Sequence, residues 1–589
     1  MEIILLNNVK KLYDNELYAS VIPTASLLHT LLQNDRSLAT SELEYQVLLY
    51  YGNACYYERQ YRVAIKHFNA ALLMRKSMIR YKNVHLAAIE NTCEQFGEIE
   101  TRYRLATCYR DLGEHSQAVA TLQALPAKSR TPKVNMLQAK LVQQGGSSNT
   151  TEAILAYKDV LRECPLAMEA IEALLELGVN GIEVNSLVVN ASNVPKNIEW
   201  LSNWIKAHAQ MYSRNHLEAS KTFQSINDNT KFHQNEHLVT LIGKSLYYYG
   251  NSTQAQLYLE MAAMINPHNW DAIMPLSVVY EYNQKLQGLD KLTAQMTNIH
   301  EFTSGHWFVM AQSFYAHGML EKASSFAYKA LTLNPRNVEA QLLRGKICLR
   351  TKRHKDGIHF FRAAQCVANY RFEVYKGLFY CYMGMKRCKE AQTMCALAVR
   401  YFRNLPRSYV MFARTLIHSS HPHPKKSAKK VIGKALEIDE YYAPAVALMA
   451  ELCQAEGETQ EAIALLKKQV VNYPHYRLFT MLGDILAGEK DLNGALEYYT
   501  TALSMEPTYQ RALEGVNALG KVSWSNNKNE QDISMTSSTN QDEEWPIECD
   551  EPSIEAVELL SSPAVAHDDG ESDTFSDPFW QDVDAELTN

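Results

Sequence analysis

The most constraining stretch of this 589-residue chain is Tyr476–Tyr509, YRLFTMLGDILAGEKDLNGALEYYTTALSMEPTY. It reads as two short amphipathic helices, joined near Gly488–Asn493 and closed by Pro507. Counted from Tyr476, Leu482 and Gly483 fall at 7 and 8, Leu486 at 11, Ala495 at 20, Tyr499 at 24, Ala502 at 27 and Pro507 at 32. Positions 8, 20 and 27 are where helices come closest, so only Gly, Ala or Ser fits without pushing backbones apart. Positions 7, 11 and 24 are large and fill the space between. Proline at 32 ends the second helix because it has no N–H to continue it.

The spacing recurs. One copy has Tyr51-Gly52, Cys55, Ala64, Phe68 and Ala71; another has Ile242-Gly243, Leu246, Ala255, Leu259, Ala262 and Pro267; a third has Met310-Ala311, Phe314, Ala323, Ala330 and Pro335. Ala462 and Ala495 are 33 apart, as are Pro474 and Pro507. Repetition over about thirteen copies identifies the 34-residue tetratricopeptide (TPR) helix–turn–helix. The expected fold class is all-α: a tetratricopeptide-repeat superhelix (α-solenoid) with a disordered acidic C-terminal tail. The expected divisions are 1–76, an N-terminal helical hairpin and the first clear repeat; 77–97, an insertion that breaks the phase; 98–235, N-terminal repeats; 236–520, the C-terminal array; and 521–589, the tail. Residues 166–199 read ambiguously, and the repeat around Ser277 and Tyr280 is degenerate.

Charge supports the last boundary. The net charge of −7 conceals an asymmetry: residues 521–589 hold 18 Asp and Glu against Lys521 and Lys528, and residues 1–520 hold 56 basic and 47 acidic side chains. A polar, acidic stretch without helical periodicity cannot bury enough apolar surface to order itself. Its end, FSDPFWQDVD, sets three aromatics among acids and reads as a docking motif or an inert solubilising tail. No apolar run reaches the roughly 18 residues that span a bilayer, and the start, MEIILLNNVKK, is too short in its apolar run for a secretory signal. The eleven cysteines form no CxxC pair. They are expected as reduced core thiols, and the sequons at Asn149, Asn190 and Asn251 as unglycosylated.

No phosphate-binding, dinucleotide-binding, nucleophile-elbow or zinc-protease motif occurs in the right context. No catalytic, cofactor or metal residue is therefore assigned, and the chain is read as a non-enzyme. Cys381, Cys388 and Cys395 are seven apart, but a turn falls between two helices there and no histidine joins at ligand spacing, so packed thiols fit better. His354, His359, His421 and His423 read as loop and surface residues. RTKRHK (Arg350–Lys355) lies between the two helices of a repeat, and Lys425, Lys426, Lys429, Lys430 and Lys434 begin another helix. Without interleaved aromatics, and with an acidic tail to repel phosphate, these clusters argue against a nucleic-acid role. They suit a solvated face or a seat for an acidic neighbour.

Stacked repeats form an inner groove lined by the first helix of each. Its expected lining is Phe308, Gln312 and Tyr315; then Leu342, Lys346 and Leu349 with Arg350 beside them; then Lys376, Tyr380 and Met383. Aromatics with Lys and Arg suit an extended peptide carrying acidic or C-terminal carboxylate groups. A TPR co-chaperone-like adaptor that holds acidic C-terminal peptides is one reading, with Lys346, Arg350 and Lys376 as a partial clamp. An RNA-processing TPR protein has only the basic turns behind it.

Three stretches carry more weight than spacing: SRTPKVNM (Ser129–Met136), YKDVLRECPLAMEAI (Tyr157–Ile171) and WLSNWIKAHA (Trp200–Ala209). They resemble the family of subunit seven of the anaphase-promoting complex (cyclosome), a TPR family, and the resemblance runs from the N-terminus to about Leu519. It implies a non-catalytic scaffold or adaptor subunit of a ubiquitin ligase that marks mitotic regulators for destruction, in the nucleus and cytoplasm. It also implies other TPR subunits as partners and a homodimer through the N-terminal repeats, for which Leu49, Asn53, Tyr56 and Tyr57 are the candidate groove residues. Sister subunits hold the Ile-Arg tails of coactivators in the C-terminal groove, so such tails are a further ligand class. Ser562-Pro563 and Thr131-Pro132 are candidate phosphorylation sites.

Overall fold

The computed structural model describes residues 2–35, 40–80, 96–145, 150–191, 199–296, 302–417, 424–472, 474–507 and 509–525. Among the described residues there are 29 α-helices, one short 3₁₀ turn and no strand. The helices run as consecutive antiparallel hairpins, ending with the single helix Gln510–Ser525. The fold is all-α and of the TPR solenoid type. No described helix is long and apolar enough to cross a membrane.

The hairpins form because the sequence sets both ends of each helix. Asn235, Asn251, Asn269 and Asn337 sit just before helices and accept from the backbone N–H groups of Leu238, Gln254, Ala272 and Ala340. Each thereby satisfies a donor that the first helical turn leaves without a partner. The turn from first to second helix needs one residue in the left-handed region. Gly113, Gly250, Gly318 and Gly457 supply it in four repeats, while Lys352, Lys386 and Lys490 occupy the same place in others.

Two compact lobes result, Met1–Tyr212 and Ser213–Asn589, the division falling one helix before the expected step at 235. In the first lobe, Val9, Val21, Leu28, Tyr45, Leu49 and Phe96 are buried in one apolar cluster. The expected insertion at 77–97 is narrower than its sequence suggests. Ser77–Arg80 continue the helix Tyr61–Arg80, and Phe96 is buried, its carbonyl accepting from the Tyr45 hydroxyl at 3.3 Å. Residues 81–95 lie outside the described residues. The ambiguous stretch after Pro165 forms two short helices, Met168–Glu176 and Gly181–Val189, whose Val184 and Val188 are fully buried. The second half looked unhelical because it is rich in Val, Asn and Ser, which have a weak helix preference.

In the second lobe the small-residue positions work as the spacing predicts. Phe361, on the helix His354–Val367, fills the gap between Gly345 on the helix before it and Gly377 on the helix after it. A β-carbon on Gly345 would stand 2.5 Å from the ring, and one on Gly377 would be closer still. Tyr499 repeats the arrangement between Gly483 and Gly515. That match assigns Gln510–Ser525 the place of the first helix of a further repeat. The helix crosses the expected tail boundary at 521, and residues 526–589 lie outside the described residues.

Candidate partner-binding cleft

First helices line a cleft of about 610 Å³ in the second lobe. Gln312 comes from Ser304–Ala316, Leu342, Lys346 and Leu349 from Val338–Arg350, and Lys376 and Tyr380 from Phe372–Gly384. Six residues named from sequence position, Gln312, Leu342, Lys346, Leu349, Lys376 and Tyr380, therefore share one cavity wall. Four others, Phe308, Tyr315, Arg350 and Met383, do not. Phe308 and Tyr315 are fully buried in the core of their repeat, with Val309 and Ala311. Arg350 turns away, its guanidinium 4.4 Å from the Tyr315 ring centroid. Gln312 is itself only 1% exposed and donates its amide to the buried Glu281 carboxylate.

The opposite wall was invisible to position counting. Tyr247, Tyr249 and Asn251 reach the cleft from around the end of Glu236–Tyr249, about a hundred residues upstream of Lys346. Glu339, Glu373, Arg407 and Asp439 add charge, and Tyr441 and Tyr442 add aromatic surface. Under this wall lies Arg371, 2% exposed. It donates to Glu339 at 2.5 Å, to Glu373 at 2.9 Å and to the Tyr247 hydroxyl at 3.2 Å, and its guanidinium stacks 4.4 Å from the Tyr248 ring. Tyr247 donates in turn to Glu339 at 3.3 Å. Arg407 donates to the Tyr248 carbonyl at 2.6 Å and lies 3.5 Å from Glu373.

The electrostatics follow from this packing. Burial opposes charge on Glu373, but the Arg371 and Arg407 guanidinium groups outweigh it and hold the carboxyl at about 2. Burial likewise opposes charge on Arg371, and Glu339 and Glu373 overcome it, leaving the guanidinium more basic than usual. Burial pushes the Tyr247 hydroxyl well up, with Glu339 adding to the effect. Tyr247 thus stays a neutral donor. The cleft presents two ammonium groups, several phenols and an apolar floor of Leu342 and Leu349, with Asp439 at one side. Its size and mixed lining suit a short peptide with a carboxylate to set against Lys346 and Lys376.

In the first lobe, Leu49 is in the core and Asn53 is 1% exposed, accepting from the buried Arg104 at 2.6 Å. Arg104 also donates to the Tyr57 hydroxyl at 3.2 Å and stacks over the Tyr56 and Tyr57 rings. Tyr57 stacks on Tyr18 at 4.3 Å and is 39% exposed. Of these four candidates, Tyr56 and Tyr57 keep side-chain surface available, and Leu49 and Asn53 are used inside the chain. Thr131 stands at the N-terminal end of the helix Pro132–Gln144, its hydroxyl oxygen buried and making no capping hydrogen bond, and Ser562 lies outside the described residues.

The spaced cysteines pack as thiols: Cys381 and Cys395 are fully buried on successive helices. Cys453, Glu458 and Glu461 come close enough together to present three donor atoms. The Lys429 ammonium stands among them, paired with Glu458 and 3.9 Å from Glu461, and supplies the positive charge a cation would.

Known proteins match at both levels. Tetratricopeptide-repeat family models match residues 97–141, 308–372 and 476–509. Proteins named anaphase-promoting complex subunit 7 from Homo sapiens and Mus musculus are each 29% identical over 523 residues, covering 88% of this chain and 92% of theirs. The Arabidopsis thaliana protein of that name is 25% identical, covering 82% and 88%. A crystal structure described as the APC/C hetero-tetramer Cut9-Hcn1 shares the fold, with a TM-score of 0.55, 13% identity and coverage of 88% of this chain and 96% of that one.

Proposed function

We propose, for a chain that belongs to the tetratricopeptide-repeat family and resembles anaphase-promoting complex subunit 7 along most of its length, a non-catalytic scaffold role in that ubiquitin ligase. The observation that carries it is the match over 88% of this chain and 92% of the relative, which includes both lobes rather than one repeat. A scaffold needs extended surfaces and no reacting groups, and stacked repeats supply such surfaces. Its neighbours in this reading are other TPR subunits and a second copy of the chain, with Tyr56 and Tyr57 of the first lobe at the copy interface. The cleft of the second lobe holds a peptide end, of which a coactivator tail is one form. The chain works in nucleus and cytoplasm.

Affinity purification of the tagged chain from mitotic cells tests this. Recovery of cullin and RING partners supports the scaffold, and its loss there would remove the reading. Recovery of chaperones instead would favour an adaptor for acidic C-terminal peptides, the second reading that Lys346 and Lys376 on adjacent first helices permit. Sedimentation of the full chain against a Tyr57→Ala variant tests the dimer: a wild-type monomer at high micromolar concentration would exclude it. Imaging of the tagged chain checks its distribution.

A further inference from the structure

One edge of the second lobe carries the turns from first to second helix, and three successive repeats present basic residues there, in two turns and at the start of the helix Pro424–Ile438. Residues 350–355, 386–389 and 425–430 hold eleven Lys and Arg and no Asp or Glu. The structure sets the first two side by side. Gly384, at the end of one first helix, lies so close to the His354 ring that a β-carbon would collide with it, so the turn after Arg350 abuts the turn after Gly384. One repeat on, the Cys395 sulfur lies 4.0 Å from the Met411 carbonyl, so the helix Cys388–Tyr401 packs directly on Pro406–Ile417, whose partner helix Pro424–Ile438 begins with the third basic run. Arg387 is paired with Glu390 and Lys429 with Glu458, but Arg353, Lys355, Lys386, Lys389, Lys425 and Lys426 are exposed.

The exit point of the remaining chain lies on the same edge. Gln510–Ser525 occupies the position of a first helix, because Gly515 meets Tyr499 as Gly377 meets Phe361. First helices end at the turn edge, so Ser525, the last described residue, lies there. The 64 residues that follow hold 18 carboxylates and the single cation Lys528. The two turns between carry Glu456, Glu458, Glu489 and Asp491 against the single Lys490, so the basic residues beyond them are the attractive part of the edge.

We propose that the acidic segment 526–589 lies along the basic turn edge of its own second lobe and shields it from other polyanions. Reach is sufficient. A coil of this length spans roughly 40–50 Å. Repeats packed about 10 Å apart put the three basic runs about 30–50 Å from Ser525. Tethering at that range gives an effective concentration of about 1 mM. A segment with a dissociation constant near 0.1 mM would then occupy the edge about nine-tenths of the time. The contact is between exposed charges and is therefore sensitive to salt.

The test uses full-length chains and lysine acylation read by mass spectrometry. One chain is wild type. The other carries Asp568→Asn, Asp569→Asn, Glu571→Gln, Asp573→Asn and Asp577→Asn. In wild type, Lys386, Lys389, Lys425 and Lys426 should react about tenfold more slowly than in the variant, with Lys231 unchanged as a reference. About 1 M salt, which shortens the screening length to about 3 Å, should erase the difference. Carbodiimide should join tail carboxylates to these lysines within one copy when isotopically distinct copies are mixed. Equal reactivity in the two chains, or links found only between copies, would overturn the proposal. A short DNA duplex that protects the edge equally in both chains would also overturn it and assign the edge to nucleic acid.

Discussion

Arg371→Met gives the sharpest test of how the cleft wall is held. The substitution keeps length and apolar volume but removes the guanidinium that Glu339, Glu373 and Tyr247 surround. Glu373 keeps Arg407 at 3.5 Å, and Glu339, 9% exposed, keeps the Tyr247 hydroxyl. Most of the loss therefore falls on Glu339. Removing one partner of a buried pair costs about 3–5 kcal/mol because a charge is left uncompensated. Replacing both partners by apolar groups costs far less. Arg371→Met with Glu339→Leu should therefore be more stable than Arg371→Met alone, by about 1–3 kcal/mol. The assay is urea unfolding of each chain, with amide hydrogen exchange over Glu236–Tyr249 and Val338–Arg350 to localise the change. The acid limb gives an independent check. The Glu373 carboxyl is held at about 2, below the usual glutamate value of about 4.3, so its stabilisation is present above that value and is lost as pH falls toward 2. In Arg371→Met that acid limb should flatten, since its chief favourable partner is gone. A single substitution costing under about 1 kcal/mol, or a double substitution as damaging as the sum of the two singles, would refute the reasoning.

Gly377→Ala sets a methyl group against the Phe361 ring; overpacking of about 1–3 kcal/mol should exceed the gain of up to about 1 kcal/mol in helix propensity, and a lowered melting temperature partly restored by Phe361→Leu would show it. Ala495→Leu at a fully buried position against Leu482 and Tyr499 should cost about 1–3 kcal/mol and raise amide exchange in Tyr476–Ser525 while leaving the first lobe unchanged. Among the cysteines of the described residues, maleimide should label the exposed Cys164 and Cys366 first, whereas Cys55, pushed up to about 11 by burial, and Cys381, pushed up to about 12 by burial, should react only when the helices open; mass spectrometry of a time course reads the order.

The repeat was legible because its small positions are a steric requirement. Gly345, Gly377, Gly483 and Ala495 must be small wherever helices touch, so the spacing survives sequence drift between copies. The near wall of the cleft followed from the same counting, which placed Gln312, Lys346, Lys376 and Tyr380 on inward faces. Counting failed where a residue faces inward but a neighbour covers it, as with Phe308, Tyr315 and Leu49. The far wall had no local signal. Arg371 meets Glu339 and Tyr247 only after the chain has turned through one or more repeats, and nothing in YRFE distinguishes a buried arginine from a surface one. The helix hidden in Gly181–Val189 was missed for another reason. Tertiary packing of Val184 and Val188 overrode a weak intrinsic preference.

The contacts of Arg371 and Arg407 with Tyr247 and Tyr248 bear on how the second lobe opens. An ideal array of this kind melts from either end, repeat by repeat, because each hairpin touches only its neighbours. Here a helix near the start of the lobe is bonded to side chains 92 to 159 positions further along. Unravelling the repeats between them one at a time leaves that bond stretched, so residues from about 236 to 407 should exchange their amide hydrogens as a single cooperative block. The repeats beyond it, from Ala443 to Ser525, are left free to fray separately. The lobe is thus a closed, cooperative segment followed by a looser end, and the looser end is the part from which the acidic segment departs.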